Sequence, residues 1–482
     1  MKAIAAAFDK RGGNAVQAVF SMLKVLGRGR VDAFTLATPK NIDVKNSLEQ
    51  FSQRGFKSPT VLGHVFLKVL AQENIQPIQV EKAVLVFDGR IYHPFMEFPE
   101  AEFIEQKLQT SGEIEETAEA LVRDFDGSFA FAIAENEKLV AGRDALGLYP
   151  LYYGEKNGLF ALASERKALW KIGLDNAKPL PPGHILVVNR EGFRINFVKI
   201  PPSITRQTSM EAAVEKLEKL LAQSMIERTA GLKKVAVAFS GGLDSSLTAF
   251  LAKKAGVDIY LIHVSLENQR ETLQAEETAR LLGLPFYKYL YNEEDVERVL
   301  PKVLWCIESS DPLKTSVGIP VYWAAERVAE LGFGVMLAGQ GADELFGGYK
   351  RYLTLYSSIG SDSVEKAIAR DVLRLHEDSF ERDAKICVFH GIELRLPFAS
   401  YPLIEFALSL PLNLKIESTN DALRKSVLRK TAEKLGLPKQ IAYKPKKAVQ
   451  YATGVDKTLK RLAKRRKMSL KKFLQKIFQS LW

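Results

Sequence analysis

Val-Ala-Val-Ala-Phe-Ser-Gly-Gly-Leu-Asp-Ser-Ser spans residues 235–246. The first five residues are apolar, as expected of a short buried strand. Ser240-Gly241-Gly242-Leu243-Asp244-Ser245-Ser246 comes next, and Leu247, Phe250 and Leu251 then follow helical spacing. A strand that ends in a Gly-rich turn and opens a helix turns backbone N–H groups toward an anion. Gly241 and Gly242 permit close approach of that anion. The Ser hydroxyls add donors, and Asp244 offers an oxygen to Mg²⁺. The spacing is not that of the Walker loop, which places four residues between its glycines and a Lys after the second.

Around this stretch the pattern alternates between strand and helix. Residues 260–264 read as a second strand and 276–282 as a helix. Residues 333–337 read as a further strand, which enters Gly339-Gln340-Gly341-Ala342-Asp343-Glu344. Such alternation predicts a parallel α/β sheet with ligands at the carboxyl ends of its strands. Upstream, Thr208 is expected to cap a helix, with Glu211 three residues later. Ala213, Val214, Leu217, Leu220, Leu221 and Met225 mark that helix's apolar face. Beyond about residue 360 the chain reads as mostly helical.

Residues 1–195 differ, being rich in short strands and turns. Residues 83–87 read as a strand, and Asp88-Gly89 reads as a hairpin turn into Ile91-Tyr92. Residues 129–134, 139–141, 148–153 and 159–162 continue the strand pattern, with a helix near 117–123. A packed antiparallel sheet domain is expected, followed by a linker at Pro201-Pro202.

With 482 residues, the chain is too long for one core. A hydrophobic content of 46% and a charged content of 26% fit a soluble globular protein. No apolar run reaches the roughly 18 residues of a membrane span, and no signal peptide is evident. Cys306 and Cys387 form neither a disulfide framework nor a metal-ligand spacing. The cytoplasm is the expected compartment. The net charge of +11 is concentrated: ten Lys and Arg, and no acid, follow Asp456. In that tail Ser469 is expected to cap a helix with apolar residues Leu470, Phe473, Leu474, Ile477, Phe478 and Leu481. A docked C-terminal helix is the simplest reading. A surface for an anionic partner, RNA or an acidic protein, is the alternative, and a membrane surface is a further one.

Several motifs carry a family resemblance. Arg143-Asp144-Ala145-Leu146-Gly147-Leu148-Tyr149-Pro150-Leu151-Tyr152-Tyr153 stands in the first half, with Ser164-Glu165-Arg166-Lys167 and Pro181-Pro182-Gly183-His184. The second half has the 240–246 loop, residues 338–349, Glu393-Leu394-Arg395-Leu396-Pro397-Phe398 and Lys444-Pro445-Lys446-Lys447. The loop resembles the pyrophosphate loop of N-type ATP pyrophosphatases, which split ATP into AMP and pyrophosphate. Residues 1–455 together resemble glutamine-dependent asparagine synthetase, asparagine synthetase B. The resemblance implies an α/β protein of three parts. These are an N-terminal Ntn-hydrolase-like sheet domain (1–200), a parallel α/β ATP pyrophosphatase domain, adenine nucleotide alpha hydrolase-like (208–455), and the basic tail (456–482).

The resemblance also exposes losses. The family's nucleophilic Cys follows the initiator Met, where this chain has Lys2, and an ammonium cannot do thiolate chemistry. The family's glutamine-gripping Arg corresponds to Phe66, and the Asn of its oxyanion hole to Asp88, whose carboxylate would repel a developing oxyanion. The first domain is therefore expected to be inactive as a glutaminase.

The ATP equipment is kept. By resemblance, Ser240, Gly241, Gly242, Leu243, Asp244, Ser245, Ser246, Gly339 and Gly341 bind the nucleotide. Asp244 and Asp343 hold Mg²⁺, and Lys446 neutralises charge on the α-phosphate and leaving pyrophosphate, with Gln340 and Glu344 as further catalytic candidates. Glu308 and Asp311 fall where the family has an acidic pair before a substrate loop. Gln340 stands where the family has a Glu thought to manage a proton from ammonia, and a Gln side chain cannot accept one. Ser400 replaces an Asp after Pro397-Phe398.

The expected function is that of an AMP-forming amide ligase using ATP and Mg²⁺. A carboxylate, first choice aspartate, is activated as an acyl-adenylate for attack by ammonia or an amine, without glutamine. Beta-lactam synthetase-like chemistry on another carboxylate, and a non-catalytic nucleotide-binding protein, are the alternatives. The sequence leaves a homodimer open.

Overall fold

A computed structural model describes the chain except for residues 1, 52–56, 71–72, 81, 94–99, 112, 203–204 and 446–451. The chain forms two compact units, Met1–Ile200 and Pro201–Trp482.

In the first unit, two sheets stack face to face. One has the strand order Lys178–Pro179, Tyr152–Lys156, Leu159–Ala163, Lys2–Asp9, Thr60–Phe66, Ala33–Ala37, Ile42–Lys45. The other runs Phe193–Phe197, His184–Val188, Leu139–Arg143, Asp126–Ala134, Ala83–His93, Ile78–Val80. The strand Lys2–Asp9 shows why its sequence is a nearly unbroken apolar run. Ile4, Ala6 and Phe8 enter the core between the sheets, where Val84, Val86, Ala130 and Ala132 also lie. Ala3, Ala5 and Ala7 join the core under helix Val16–Leu26 on the other face. Both faces are covered, so the period-two alternation is between two apolar environments. Helices Glu100–Ser111 and Ile114–Asp124 close the far side of the second sheet. The result is a helix–sheet–sheet–helix sandwich, the Ntn-hydrolase-like arrangement.

The conspicuous Arg143-Asp144 motif holds backbone together. Arg143 donates to the carbonyls of Tyr149, Gly147 and Leu180 at 2.8, 2.6 and 2.6 Å. Asp144 accepts from the N–H groups of Phe129, Leu146 and Gly147, and its burial raises its pKa to about 6 against those bonds.

The expected hairpin at Asp88-Gly89 is not there. Residues 83–93 form one strand, Ala83–His93, paired along its length with Asp126–Ala134. Gly89 adopts φ +122° and packs against the backbone of Ser128 and Phe129, where a side chain would not fit. A local turn signal is overridden by a partner strand on which only Gly can sit.

The second unit has a five-stranded parallel sheet in the order Phe286–Tyr291, Asp258–Leu266, Lys234–Ala238, Val335–Leu337, Glu393–Arg395. Chain order reverses between Lys234–Ala238 and Val335–Leu337. In such sheets the crevice outside the carboxyl ends of the two strands flanking the reversal is where ligands bind. The helix upstream is Met210–Thr229, and its cap is Ser209, which accepts from the Ala212 N–H, in place of the expected Thr208. Strand Glu393–Arg395 lies within the stretch expected to be helical. Its three residues are too few for a periodic signal, and it is buried throughout.

The tail folds as helices Val455–Arg465 and Leu470–Gln479, the latter capped by Ser469. Leu459, Leu462, Phe473 and Leu474 are buried. Arg461 and Arg465 pair with Glu293, and Arg466 with Glu297.

Candidate active site

Strand Lys234–Ala238 delivers the Gly-rich turn to the point of reversal, and Gly242 caps helix Leu243–Lys254. The turn is closed on itself by its serines. The Ser240 N–H donates to Ser245 Oγ at 3.2 Å, the two hydroxyls are 3.1 Å apart, and the Gly242 N–H donates to Ser240 Oγ at 3.3 Å. Gly241 takes φ +70° with Ala275 against it, which leaves no room for a side chain. Leu243 and Ser246 point into the protein, and Ser246 is fully buried. Leu243 can therefore serve an anion only through its backbone, and the Ser246 hydroxyl faces the interior.

Two residues to which the sequence assigns no role of their own brace this turn. His263 lies with Nδ1 2.9 Å from the Phe239 carbonyl and Nε2 3.2 Å from Thr272 Oγ1. Burial lowers its pKa, which favours the neutral ring that can bridge a carbonyl and a hydroxyl. Lys444 donates to the Gly241 carbonyl at 3.0 Å, to Thr278 Oγ1 at 3.1 Å and to the Gln274 carbonyl at 3.3 Å. An ammonium has three donors, so this lysine is fully engaged in pinning the loop. Lys446, two residues on, lies outside the described residues.

Asp244, in the first helical turn, and Asp343, in the short helix Ala342–Leu345, meet across the reversal. Gly339 lies directly against Asp244, where a Cβ would stand only 3.0 Å from it, and Gly341 takes φ +96° to turn the chain into Asp343. A third group lies between the two carboxylates. Lys425 Nζ is 2.6 Å from Asp244 Oδ1 and 2.7 Å from Asp343 Oδ1. The Lys425 side chain is 2% exposed, those of Asp244 and Asp343 17% and 13%. The ammonium thus approaches from the buried side, and the carboxylates keep a solvent-facing side. Burial pushes the lysine's pKa down, and Asp244 opposes the shift. Both Arg424 and Lys425 adopt left-handed backbone, which aims Lys425 inward from the start of helix Ser426–Lys434. No sequence pattern marks Lys425, because its partners are far away along the chain.

The two carboxylates fit a hard cation: they lie side by side, Lys425 holds them from the buried side, each keeps a solvent-facing side, and oxygen ligands suit Mg²⁺. Among the described residues no group of three or more His, Cys, Asp or Glu is arranged to hold a metal.

Glu344 accepts from the Tyr349 hydroxyl at 2.6 Å. Burial raises its pKa, opposed by that bond. Gln340 Nε2 donates to Asp383 Oδ2 at 2.9 Å. Glu308 and Asp311 play different parts. Glu308 is buried in an ion pair with Lys385 at 2.5 Å, and Lys385 also binds Glu381 at 2.7 Å. Asp311 caps helix Pro312–Glu330, accepting from the Lys314 N–H at 2.8 Å. Ser400 is buried at the start of helix Tyr401–Ser409 without a side-chain cap.

In the first unit, two of the residues that depart from the glutaminase pattern, Lys2 and Phe66, sit on neighbouring strands of one sheet, and the third, Asp88, sits on a strand of the other. Lys2 pairs in register with Phe66, which is buried, as is Asp88. Arg90, two residues beyond Asp88, is buried in an ion pair with Glu73.

Comparison with known proteins finds a family match within each unit. Residues 216–361 and 356–477 match the asparagine synthase family, and residues 64–171 match the glutamine amidotransferase domain. The chain is 34% identical over 465 residues to a putative glutamine-hydrolysing asparagine synthetase of Methanocaldococcus jannaschii, covering 85% of each protein. It is 29% identical to the glutamine-hydrolysing asparagine synthetase of Triphysaria versicolor, over 71% of this chain and 60% of that one. A probable asparagine synthetase of Dictyostelium discoideum is 24% identical, over 83% and 78%.

Proposed function

The chain belongs to the asparagine synthetase family, and from that premise we propose that it makes an amide from aspartate and free ammonia without using glutamine. At the level of the family it is an ATP-dependent ligase that forms AMP and pyrophosphate. The observation that carries the reading is the convergence of Asp244 and Asp343 at the mouth of the Ser240–Ser245 turn.

The residues divide the work. Backbone N–H groups of the turn and the Ser240 and Ser245 hydroxyls receive the phosphate chain at the helix start. Gly339 and Gly341 let the neighbouring loop approach it. Asp244 and Asp343 would hold Mg²⁺, which when bound screens the phosphates. Lys446 offsets charge that develops as a carboxylate oxygen attacks the α-phosphorus and pyrophosphate departs. In-line displacement depends mainly on positioning and charge neutralisation, which this arrangement supplies. Glu344, held by Tyr349, stays inside the second loop and sets its shape.

Glutamine is unused on this reading because the glutaminase positions carry Lys2, Phe66 and Asp88. A different carboxylate, as in beta-lactam synthetase-like ligases, is favoured by one observation: Gln340 replaces a proton-accepting Glu. The exposed Lys457, Lys464, Lys467, Lys471, Lys472 and Lys476 are the surface on which an anionic partner such as RNA would act. ATP–pyrophosphate exchange with a panel of amino and carboxylic acids tests the assignment. Exchange with aspartate supports it, exchange with another acid supports the second reading, and no exchange supports a non-catalytic nucleotide-binding role.

A further inference from the structure

Gln340 makes one contact that decides how its amide is turned. Its Nε2 lies 2.9 Å from Oδ2 of Asp383. Asp383, on helix Glu381–Phe389, has no exposed surface. Arg382 grips both of its oxygens, Nε to Oδ1 at 2.7 Å and Nη2 to Oδ2 at 2.9 Å. The guanidinium is itself tethered through Nη1 to the Asp378 carbonyl at 3.2 Å. A carboxylate in this grip has only lone pairs to offer, so the NH₂ end of Gln340 must face it. Flipping the amide would set Oε1 against Oδ2, two acceptors in contact. The Gln340 carbonyl oxygen is therefore directed away from Asp383, on a partly exposed residue between Gly339 and Gly341, three residues before Asp343 in the chain.

We propose that Asp383 is a positioning residue: through Gln340 it presents a fixed amide oxygen to an N–H of the incoming nitrogen nucleophile. The inference rests on the ligase reading and concerns its second half-reaction. The nitrogen lone pair forms the C–N bond at the acyl carbon, the bond from that carbon to the phosphate oxygen breaks, and AMP leaves with the electron pair. The extra proton on nitrogen passes to solvent water. The amide oxygen of Gln340 accepts a hydrogen bond and orients the lone pair, but it takes no proton. The carboxylate that a Glu at 340 would supply is thus exchanged for an amide whose direction a buried carboxylate sets.

The test separates the half-reactions in the full-length protein, with ammonium chloride as nitrogen source. Asp383→Asn lets both amides turn. It should raise the KM for ammonium about tenfold, the worth of one oriented hydrogen bond, while moving ATP–pyrophosphate exchange less than about twofold. Gln340→Ala should raise the ammonium KM by a similar factor. The double variant should be no worse than Gln340→Ala, because Asp383 acts through Gln340. Asp383→Glu, which keeps an acceptor facing the amide, should recover part of the loss. If Asp383→Asn does not fold, Gln340→Ala alone still decides, since an unchanged ammonium KM in that variant overturns the inference. Equal losses in exchange and amide formation, or additive effects in the double variant, also overturn it. A wild-type chain that gives no exchange with any acid overturns the ligase reading and this inference together. Wild-type exchange and amide formation, with both single variants unaffected, overturns this inference alone.

Discussion

Lys425 Nζ stands 2.6 Å from Asp244 and 2.7 Å from Asp343, so two carboxylates from neighbouring strand ends share one buried ammonium. A lysine here does two things. It keeps like charges together before any ligand arrives, and it leaves the solvent-facing side of both carboxylates for a cation carried with phosphate. Removing it takes away the buried ammonium that the two adjacent carboxylates share. Lys425→Met should therefore cost about 3 kcal/mol or more of stability, read as a lower urea midpoint in the presence of a chelator. An unchanged midpoint would show that the three groups are not coupled.

Adenylation should depend on the same cluster and on the lysine two residues beyond the loop-pinning Lys444. Asp244→Asn, Asp343→Asn and Lys446→Ala should each slow AMP formation by about 100-fold or more, the usual cost of removing one preorganised charge from a developing phosphate transition state. Circular dichroism should show the fold intact. AMP formation that survives all three changes would place the site elsewhere.

The first unit should release no glutamate from glutamine above background. Lys2→Cys alone should not restore the activity, because Phe66 and Asp88 remain and Arg90 stays locked to Glu73. Glutamate release by the unmodified chain, followed by coupled dehydrogenase assay, would contradict this.

The local framework of the candidate site could be read from the sequence because its information is local. The 235–246 stretch fixes strand, turn and helix within twelve consecutive residues, and the 339–344 stretch does the same one strand over. What could not be read came from distance or from a partner surface. Lys425 and Lys444 reach the turn from the far end of the chain, and His263 reaches it from the next strand. Asp88-Gly89 carries a hairpin signal that strand Asp126–Ala134 overrides. Ser246 belongs to the loop motif, yet the helix it opens turns the hydroxyl inward. Glu308 and Asp311 are close in sequence, but one is buried against Lys385 and the other caps a helix.

His390 gives the second unit a defined pH sensitivity. Burial lowers its pKa to about 4, with Lys302 adding to the shift, and its Nε2 has no hydrogen-bond partner among the described residues. The folded chain keeps the ring neutral, whereas the unfolded chain protonates it near pH 6.5. Between these values the unfolded state binds more protons, so stability falls as pH drops from about 6.5 toward 4 and is unaffected above that window. His390→Phe should remove about 2 kcal/mol of the difference between urea unfolding at pH 7 and pH 5, from 1.36 kcal/mol per pKa unit. Identical pH dependence in the two proteins would refute the assignment.

The most direct measurement of the central claim is ATP–pyrophosphate exchange with purified full-length protein, followed by product analysis with ammonium chloride or glutamine as nitrogen source. Aspartate-dependent exchange is expected, with asparagine and AMP in equal amounts from ammonium but not from glutamine. Absence of exchange with every acid tried, or asparagine formed from glutamine with glutamate released, would contradict the claim.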